Sequence, residues 1–377
     1  MTKASNVALA ILAATGSITC RHDITDPPLP VTDAYGVITP IGSMSTARAA
    51  HTATLLPNGK VLITGGLNGQ ATAEIYDPDS KTFTPTSAMS ATRAGHAATL
   101  LPNGKVFIVG GYSSADGSDL ASAEIYDPAT GRFTPTGPMS AAREGGGAIL
   151  LRNGKVLVTG GRLEGTRSAE LYDPSTGSFA PAGDMTTARA AHTMTMLQDG
   201  RILIVGGHRG RRSTIVIHAS AEIYDPTTGL FTATGMMTIR RHKHDAVALA
   251  DGRVLINGGS DERDDQGAYA SAEVYNPVNG AFVAIGNMPT IRYKHVGTSM
   301  LLPNGKALLA GGAGNAVIYD PQSSTFSVVT GSLGTNRLSR LFSTATLLST
   351  GEVLITGGYG LGQNVSAGAW IYKPSDE

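Results

Sequence analysis

Met44 to Gly66, MSTARAAHTATLLPNGKVLITGG, returns almost letter for letter from Met89 to Gly111. Paired glycines mark the same point again and again, at Gly65/Gly66, Gly110/Gly111, Gly160/Gly161, Gly206/Gly207, Gly258/Gly259, Gly311/Gly312 and Gly357/Gly358. That makes seven copies, spaced by 45, 50, 46, 52, 53 and 46 residues. A repeat of this size is one supersecondary unit that cannot bury its apolar face alone, so the copies must stack on one another. The uneven spacing places the variable lengths in loops.

The repeat leaves little of the 377 residues unassigned, so a single domain over 35–377 is the expected organisation. With 29 basic and 29 acidic side chains the formal charge is zero, which gives no global field for nucleic acid or an anionic membrane. The one cysteine, Cys20, permits no internal disulfide and no cysteine-based metal cluster. Ahead of it, Lys3 and the apolar, small-residue run Val7–Ala14 have the form of a secretory signal, and that run is too short to span a bilayer. Residues 1–20 are therefore expected to be a signal peptide or a lipoprotein signal, with Cys20 as a possible lipid anchor. Residues 21–34, containing Asp26-Pro27-Pro28-Leu29-Pro30, are expected to be a stiff spacer. Both routes predict a secreted, periplasmic or outer-surface protein.

Within one copy the alternation from His51 to Leu56, the Pro57-Asn58-Gly59 break and the β-branched run Lys60–Thr64 predict a hairpin. The glycine pair closes its second strand, where a missing Cβ permits close backbone approach. Ala73–Tyr76 reads as a third strand, Asp77–Ser80 as a turn in which aspartate bonds its own backbone, and Phe83–Thr86 as a fourth. Four short antiparallel strands make one propeller blade. The glycine pair, the Tyr-Asp-Pro turn and the Arg-x-x-His entry resemble the Kelch repeat over about residues 35–377. TLLPNGKVLITGG and AEIYDPxTGxF are similar to the central propeller of the galactose oxidase family.

The last copy stops at Ile371-Tyr372-Lys373-Pro374, after its third strand, while Tyr35–Met44 carries a fourth-strand pattern ahead of the first. The fold class predicted is all-β: a seven-bladed propeller closed by an N-terminal strand that completes the last blade.

Each copy opens with an arginine: Arg48, Arg93, Arg143, Arg189, Arg241, Arg292 and Arg340. Glu74, Glu124, Glu170, Glu222 and Glu273 recur at one strand position and supply partners, but Val317 and Trp370 replace them in copies six and seven. Pairing is the expected role of most of this ring, since a buried guanidinium without a partner is costly; Arg292 and Arg340 are left as candidates for ligand contact. His51, His96, His192, His244 and His295 share one position, filled by Gly146 and Ser343 elsewhere, and are expected to serve packing and hydrogen bonding.

The two positions between arginine and histidine are small in ordinary copies, as in Ala49-Ala50, but become His242-Lys243 and Tyr293-Lys294 in copies five and six. The loops beside them are long and charged, His208-Arg209-Gly210-Arg211-Arg212 onward and Asp261-Glu262-Arg263-Asp264-Asp265 onward. Asp261, Asp264 and Asp265 suggest calcium, but without an EF-hand or nonapeptide pattern, mutual pairing with neighbouring arginines is the simpler expectation.

The copper and the cysteine-linked tyrosine that the resemblance would bring do not carry over, because Cys20 precedes the propeller and no further domain follows it up to Glu377. The Glu-x-x-x-Asp-x-x-x-His iron run of nitrile-specifier Kelch proteins is absent too. No cofactor and no metal site are expected. The leading functional reading is a monomeric binding module for a glycan or protein partner, through a basic face carrying Arg241, Lys243, Arg292, Lys294, Arg340, His208 and Arg209. The alternative is a carbohydrate-active enzyme, a polysaccharide lyase or sugar epimerase, in which His242 and Tyr293 act as base and acid.

Overall fold

The computed structural model describes residues 35–161, 166–210, 214–362 and 364–375. The expected signal and spacer, Cys20, Arg211 and Arg212 lie outside the described residues. Seven four-stranded antiparallel sheets follow one another, and in six of them the strand order is the chain order. The first blade consists of Thr52–Leu55, Val61–Thr64, Ala73–Asp77 and Thr82–Pro85. In the seventh, Val37–Ser43 pairs with Gly368–Lys373 outside Val353–Thr356 and Thr344–Leu347. The N-terminal strand therefore supplies the missing outer strand, with Val37 opposite Lys373 and Pro40 opposite Trp370. Pro40 is tolerated because this strand is an edge and needs no second ladder. The seven blades form a closed ring, the inner strand of blade 1 lying beside those of both blade 2 and blade 7.

Among the described residues there is no single central core. Instead, seven apolar clusters each fill the seam between two neighbouring blades, as where Val61, Ile63 and Tyr76 of blade 1 meet Leu354 and Ile371 of blade 7. The second strand of each blade is sandwiched on both sides, so all of Val61–Thr64, Val106–Val109 and Val254–Asn257 are buried. This explains why those segments read as continuous runs of branched residues rather than as alternating ones.

Two polar devices brace the ring, one within each copy and one between neighbouring blades. Arg48, Arg93, Arg143, Arg189 and Arg241 each contact the glutamate of their own copy, at 2.7–3.0 Å and out of contact with water. Each also donates through Nη1 to the carbonyl of the first paired glycine, such as Arg48 to Gly65 at 2.8 Å. The histidines reach back to the preceding blade: His96 to Thr64, His192 to Thr159, His295 to Asn257 and His51 to Thr356, at 2.8–3.2 Å. The preceding blade offers Val109 and Ala310 where Gly146 and Ser343 stand in place of the histidine, while His244, facing Val205, reaches Thr193 instead at 3.2 Å. Burial pushes these imidazoles down to about 3, so they act as neutral struts.

Candidate functional site

The two residues after each arginine take opposite roles. The first is drawn outward under the loop that follows the glycine pair, as isolated bridges from Ala49 to Leu67, Ala94 to Tyr112, Ala190 to His208, His242 to Ser260 and Leu341 to Tyr359 record. The second turns inward and adopts a left-handed backbone: Ala50, Gly95, Gly145, Ala191, Lys243, Lys294 and Phe342 have φ between 51° and 65°. Their backbones form a ring. Gly95 donates to Ala50, Gly145 to Gly95, Ala191 to Gly145, Lys243 to Ala191 and Lys294 to Lys243, at 2.8–3.3 Å. Glycine at two of these positions, Gly95 and Gly145, avoids the penalty that a left-handed residue pays for its Cβ. Blades 1 to 4 thus give this ring four small residues, and blades 5 to 7 face them with two lysines and a phenylalanine.

This geometry divides the residues singled out in the sequence. Lys243 and Lys294 sit on the ring and are partly exposed, whereas His242 is 1% and Tyr293 0% exposed beneath the loops. Lys243 Nζ lies 2.7 Å from Asp264 Oδ1 and 3.2 Å from the Tyr293 hydroxyl. Lys294 Nζ lies 3.2 Å from the Tyr359 hydroxyl and within 6 Å of the ring centroids of Tyr293, Phe342 and Tyr359. His242 Nε2 stands 3.7 Å from Asp264 Oδ1, and its ring is buried against the Asp261 backbone. His208 packs edge-on against it, with centroids 5.0 Å apart.

Burial dominates the electrostatics. It lowers His242 to about 3, helped by Lys243 and His208 and opposed by Asp264. Burial and then the Asp264 charge raise the Tyr293 phenol well above its ordinary range. Burial lowers Lys294 against the pull of Asp264 and Asp265. Asp264 goes the other way: burial favours its protonated form, but Lys243, Tyr293 and Lys294 outweigh it and hold it at about 2.

The remaining candidates are placed as follows. Arg241 is fully buried on Glu273 and offers no edge to solvent. Arg292 is fully buried without an acid; it donates to Gly311 and Asn315 carbonyls at 2.7 and 2.8 Å, and burial alone lowers it to about 9. Arg340 donates to the Leu333 carbonyl at 2.6 Å and stacks 4.4 Å from the ring centroid of Trp370, the residue that replaces its glutamate. Arg209 is exposed on the two-residue strand His208–Arg209, paired with Val216–Ile217. In the blade 5 loop, Asp261 is within 2.6 Å of Arg263, and Glu262 within 2.9 Å of Arg240. Much of the positive charge in this sector is thereby offset by neighbouring acids. Among the described residues no group of three or more His, Cys, Asp or Glu is placed to hold a metal ion, and no helix is long and apolar enough to cross a membrane.

Three residues of this cluster were not among the binding candidates: Asp264, Phe342 and Tyr359. Leu341-Phe342 breaks the small-residue rule of the repeat as plainly as Tyr293-Lys294 does, and that signal was open to the same reasoning.

Four-stranded blades in a closed sevenfold ring, a Kelch motif match over residues 93–140 and the arginine–glutamate struts define a Kelch-repeat β-propeller. Its fold is that of the galactose oxidase central propeller. One similar structure is a fungal alcohol oxidase of the AA5 family, determined in complex with copper, at 17% identity and a TM-score of 0.72, covering 90% of this chain and 76% of that one. Another is YjhT, at 15% identity and a TM-score of 0.61, covering 76% of this chain and 99% of that one. At these identities the likeness is one of fold. No curated protein matches the chain in sequence.

Proposed function

We propose that the protein is an exported binding module that takes a carboxylate-bearing glycan at the ring of Lys243, Lys294 and Phe342. A Kelch propeller is in general a binding and interaction scaffold. What singles out this sector is Lys294, an ammonium drawn into a surround of Tyr293, Phe342 and Tyr359 whose only hydrogen bond among the described residues goes to a phenol oxygen. A partly desolvated cation of this kind gains most from an anion. Flat rings beside it suit the face of a sugar, and Ala50, Gly95, Gly145 and Ala191 leave the opposite side of the mouth open. Export rests on the signal-like segment before Cys20.

Binding is favoured over catalysis because His242 and Tyr293 are sealed from solvent and their proton affinities lie far from neutrality. Calorimetry with uronate-containing and neutral oligosaccharides tests this reading. Salt-sensitive binding of the uronates, lost in the double variant Lys243→Ala/Lys294→Ala, is the expected result. Binding indifferent to both lysines overturns the site, and release of unsaturated products that stops in His242→Ala restores the enzyme reading.

A further inference from the structure

The anion site proposed above already holds an anion that belongs to the chain. Asp264 comes from the loop between the second and third strands of blade 5, at the start of a short 3-10 turn, Asp264–Gly267. Its carboxylate sits 2.7 Å from Lys243 Nζ, faces the Tyr293 hydroxyl and lies in the field of Lys294. These are the groups a uronate carboxylate would need. We propose that Asp264 is an internal competitor: it occupies the anion site of the empty protein, and a bound uronate displaces it together with the tip of its loop. The inference rests on the carboxylate reading of the mouth.

Three observations make Asp264 a removable occupant rather than a fixed strut. First, its side chain is 46% exposed, unlike the buried glutamates on the arginine ring. An ion pair open to water holds its partners weakly and is readily exchanged for another. Second, the loop is held together by its own contacts. Asp261 bonds the backbone and guanidinium of Arg263, Asp261 N–H donates to Gly267 O, and Asp264 N–H donates to Asp261 O. Beyond Asp264, its tie to the residues outside it is the surface pair Glu262–Arg240, about half exposed on both sides, so the loop can shift as a unit once that weak pair lets go. Third, the loop seals His242, whose buried imidazole lies against the Asp261 backbone and 3.7 Å from the Asp264 carboxylate. The strut histidines keep Nε2 bonded. Lifting the loop tip gives the His242 ring access to water or to a sugar hydroxyl, which relieves part of the cost of its burial.

A carboxylate that belonged to the recognition surface and one that competes with the ligand behave oppositely when removed. Oligogalacturonate is titrated calorimetrically into wild type, Asp264→Asn and Asp264→Ala, with thermal melts to confirm that each variant is folded. Competition predicts tighter binding in both variants, by ~10-fold if the internal carboxylate holds the site nine-tenths of the time. It also predicts faster amide exchange at residues 261–267 of wild type when the ligand is bound. Wild-type binding that is unchanged or weakened in both variants overturns this inference and leaves the binding module standing. Binding seen only in the variants supports it in its strongest form, and no binding by any of the three proteins overturns it together with the carboxylate reading.

Discussion

Phe342 donates its backbone N–H to the carbonyl of Lys294 across 2.6 Å, and Ala50 donates to Phe342 at 2.9 Å, closing a hydrogen-bonded circle that passes once through every blade. A propeller built only from nearest-neighbour seams has no element that registers the first blade against the fourth. This circle is also made of links between neighbours, but because every link is backbone the side chains at its seven positions are free to vary. Three of them have been made large, and they are the ones that carry the candidate site.

Left-handed geometry recurs at two kinds of position, and the two should respond differently to a methyl group. At Gly95 an added Cβ meets nothing closer than Glu144 Cγ at 3.8 Å, so Gly95→Ala should cost only the left-handed penalty of about 1–2 kcal/mol. At Gly65 the same atom would lie 2.5 Å from the Arg93 carbonyl oxygen and 2.9 Å from His96 Cε1. Gly65→Ala should therefore lose at least about 2 kcal/mol more, through overpacking. Urea unfolding of both variants measures the difference, and equal losses would show that the glycine pair is not closely packed.

Removing Glu124 should be among the most damaging single changes in the chain. It leaves Arg93 buried with its charge unpaired, and it removes the acceptor for Ser90 N–H at 2.7 Å. The expected loss for Glu124→Ala is about 3–5 kcal/mol. Blade 6 shows how such a site survives without an acid. Asn315 Oδ1 accepts from Thr290 and lies 3.2 Å from Arg292, taking over part of the missing role, so Asn315→Ala should cost less. Parallel melts of the two variants rank them, and the reverse order would mean that the glutamate is not the main support of its arginine.

Most of the architecture was legible because the chain is its own comparison set. Seven copies fix the blade count, and the orphaned pattern of Tyr35–Met44 fixes the closure. The pairing of arginine with the glutamate of the same copy was not legible, since either neighbouring blade satisfied the spacing. Nor was the split between His242 and Lys243, adjacent residues that face opposite ways because the second one turns left-handed. Repeat comparison finds where a rule breaks, but backbone handedness decides which of two unusual neighbours reaches solvent. A pairing role for Asp264 was legible, with arginines of its own loop as the expected partners, but its contact with Lys243 was not, because it spans two loops of unrelated length.

Asp245 is an acid on an inner strand, where other copies carry Thr52 or Ala97. It accepts the N–H groups of Gly297, Thr298 and Ser299 at 2.6–2.9 Å and so secures the turn that follows His295. Burial raises its pKa to about 6, against the pull of those donors. An acid raised in the folded state binds protons more tightly there than when unfolded. Its contribution is therefore full below the ordinary carboxylate value and is lost as pH rises through about 6. Over this window wild type should lose about 3 kcal/mol relative to Asp245→Asn. Melting both proteins between acid and neutral pH tests the sign; a gap that grows in favour of wild type as pH rises would mean that the backbone donors outweigh burial.

Trp370 offers a direct view of ring closure, because it is the sole tryptophan and lies opposite Pro40 on the closing strand. That strand is held by Ile38, buried among Leu308, Ile318 and Tyr372, by the Ile38 N–H to Thr330 at 2.8 Å, and by the Tyr372 hydroxyl to Tyr35 at 2.7 Å. Ile38→Asp buries a charge with no partner and should release the strand at a cost of several kcal/mol, about 3 or more. Once released, the strand no longer covers Trp370, and its emission should shift to longer wavelength and become accessible to a neutral quencher. The conservative Ile38→Val should cost only about 1 kcal/mol and leave the emission unmoved. If Ile38→Asp unfolds the whole ring in one step, fluorescence and circular dichroism will change together. If the closing strand is an independent latch, the fluorescence will move first while the seven inner strands keep their signal.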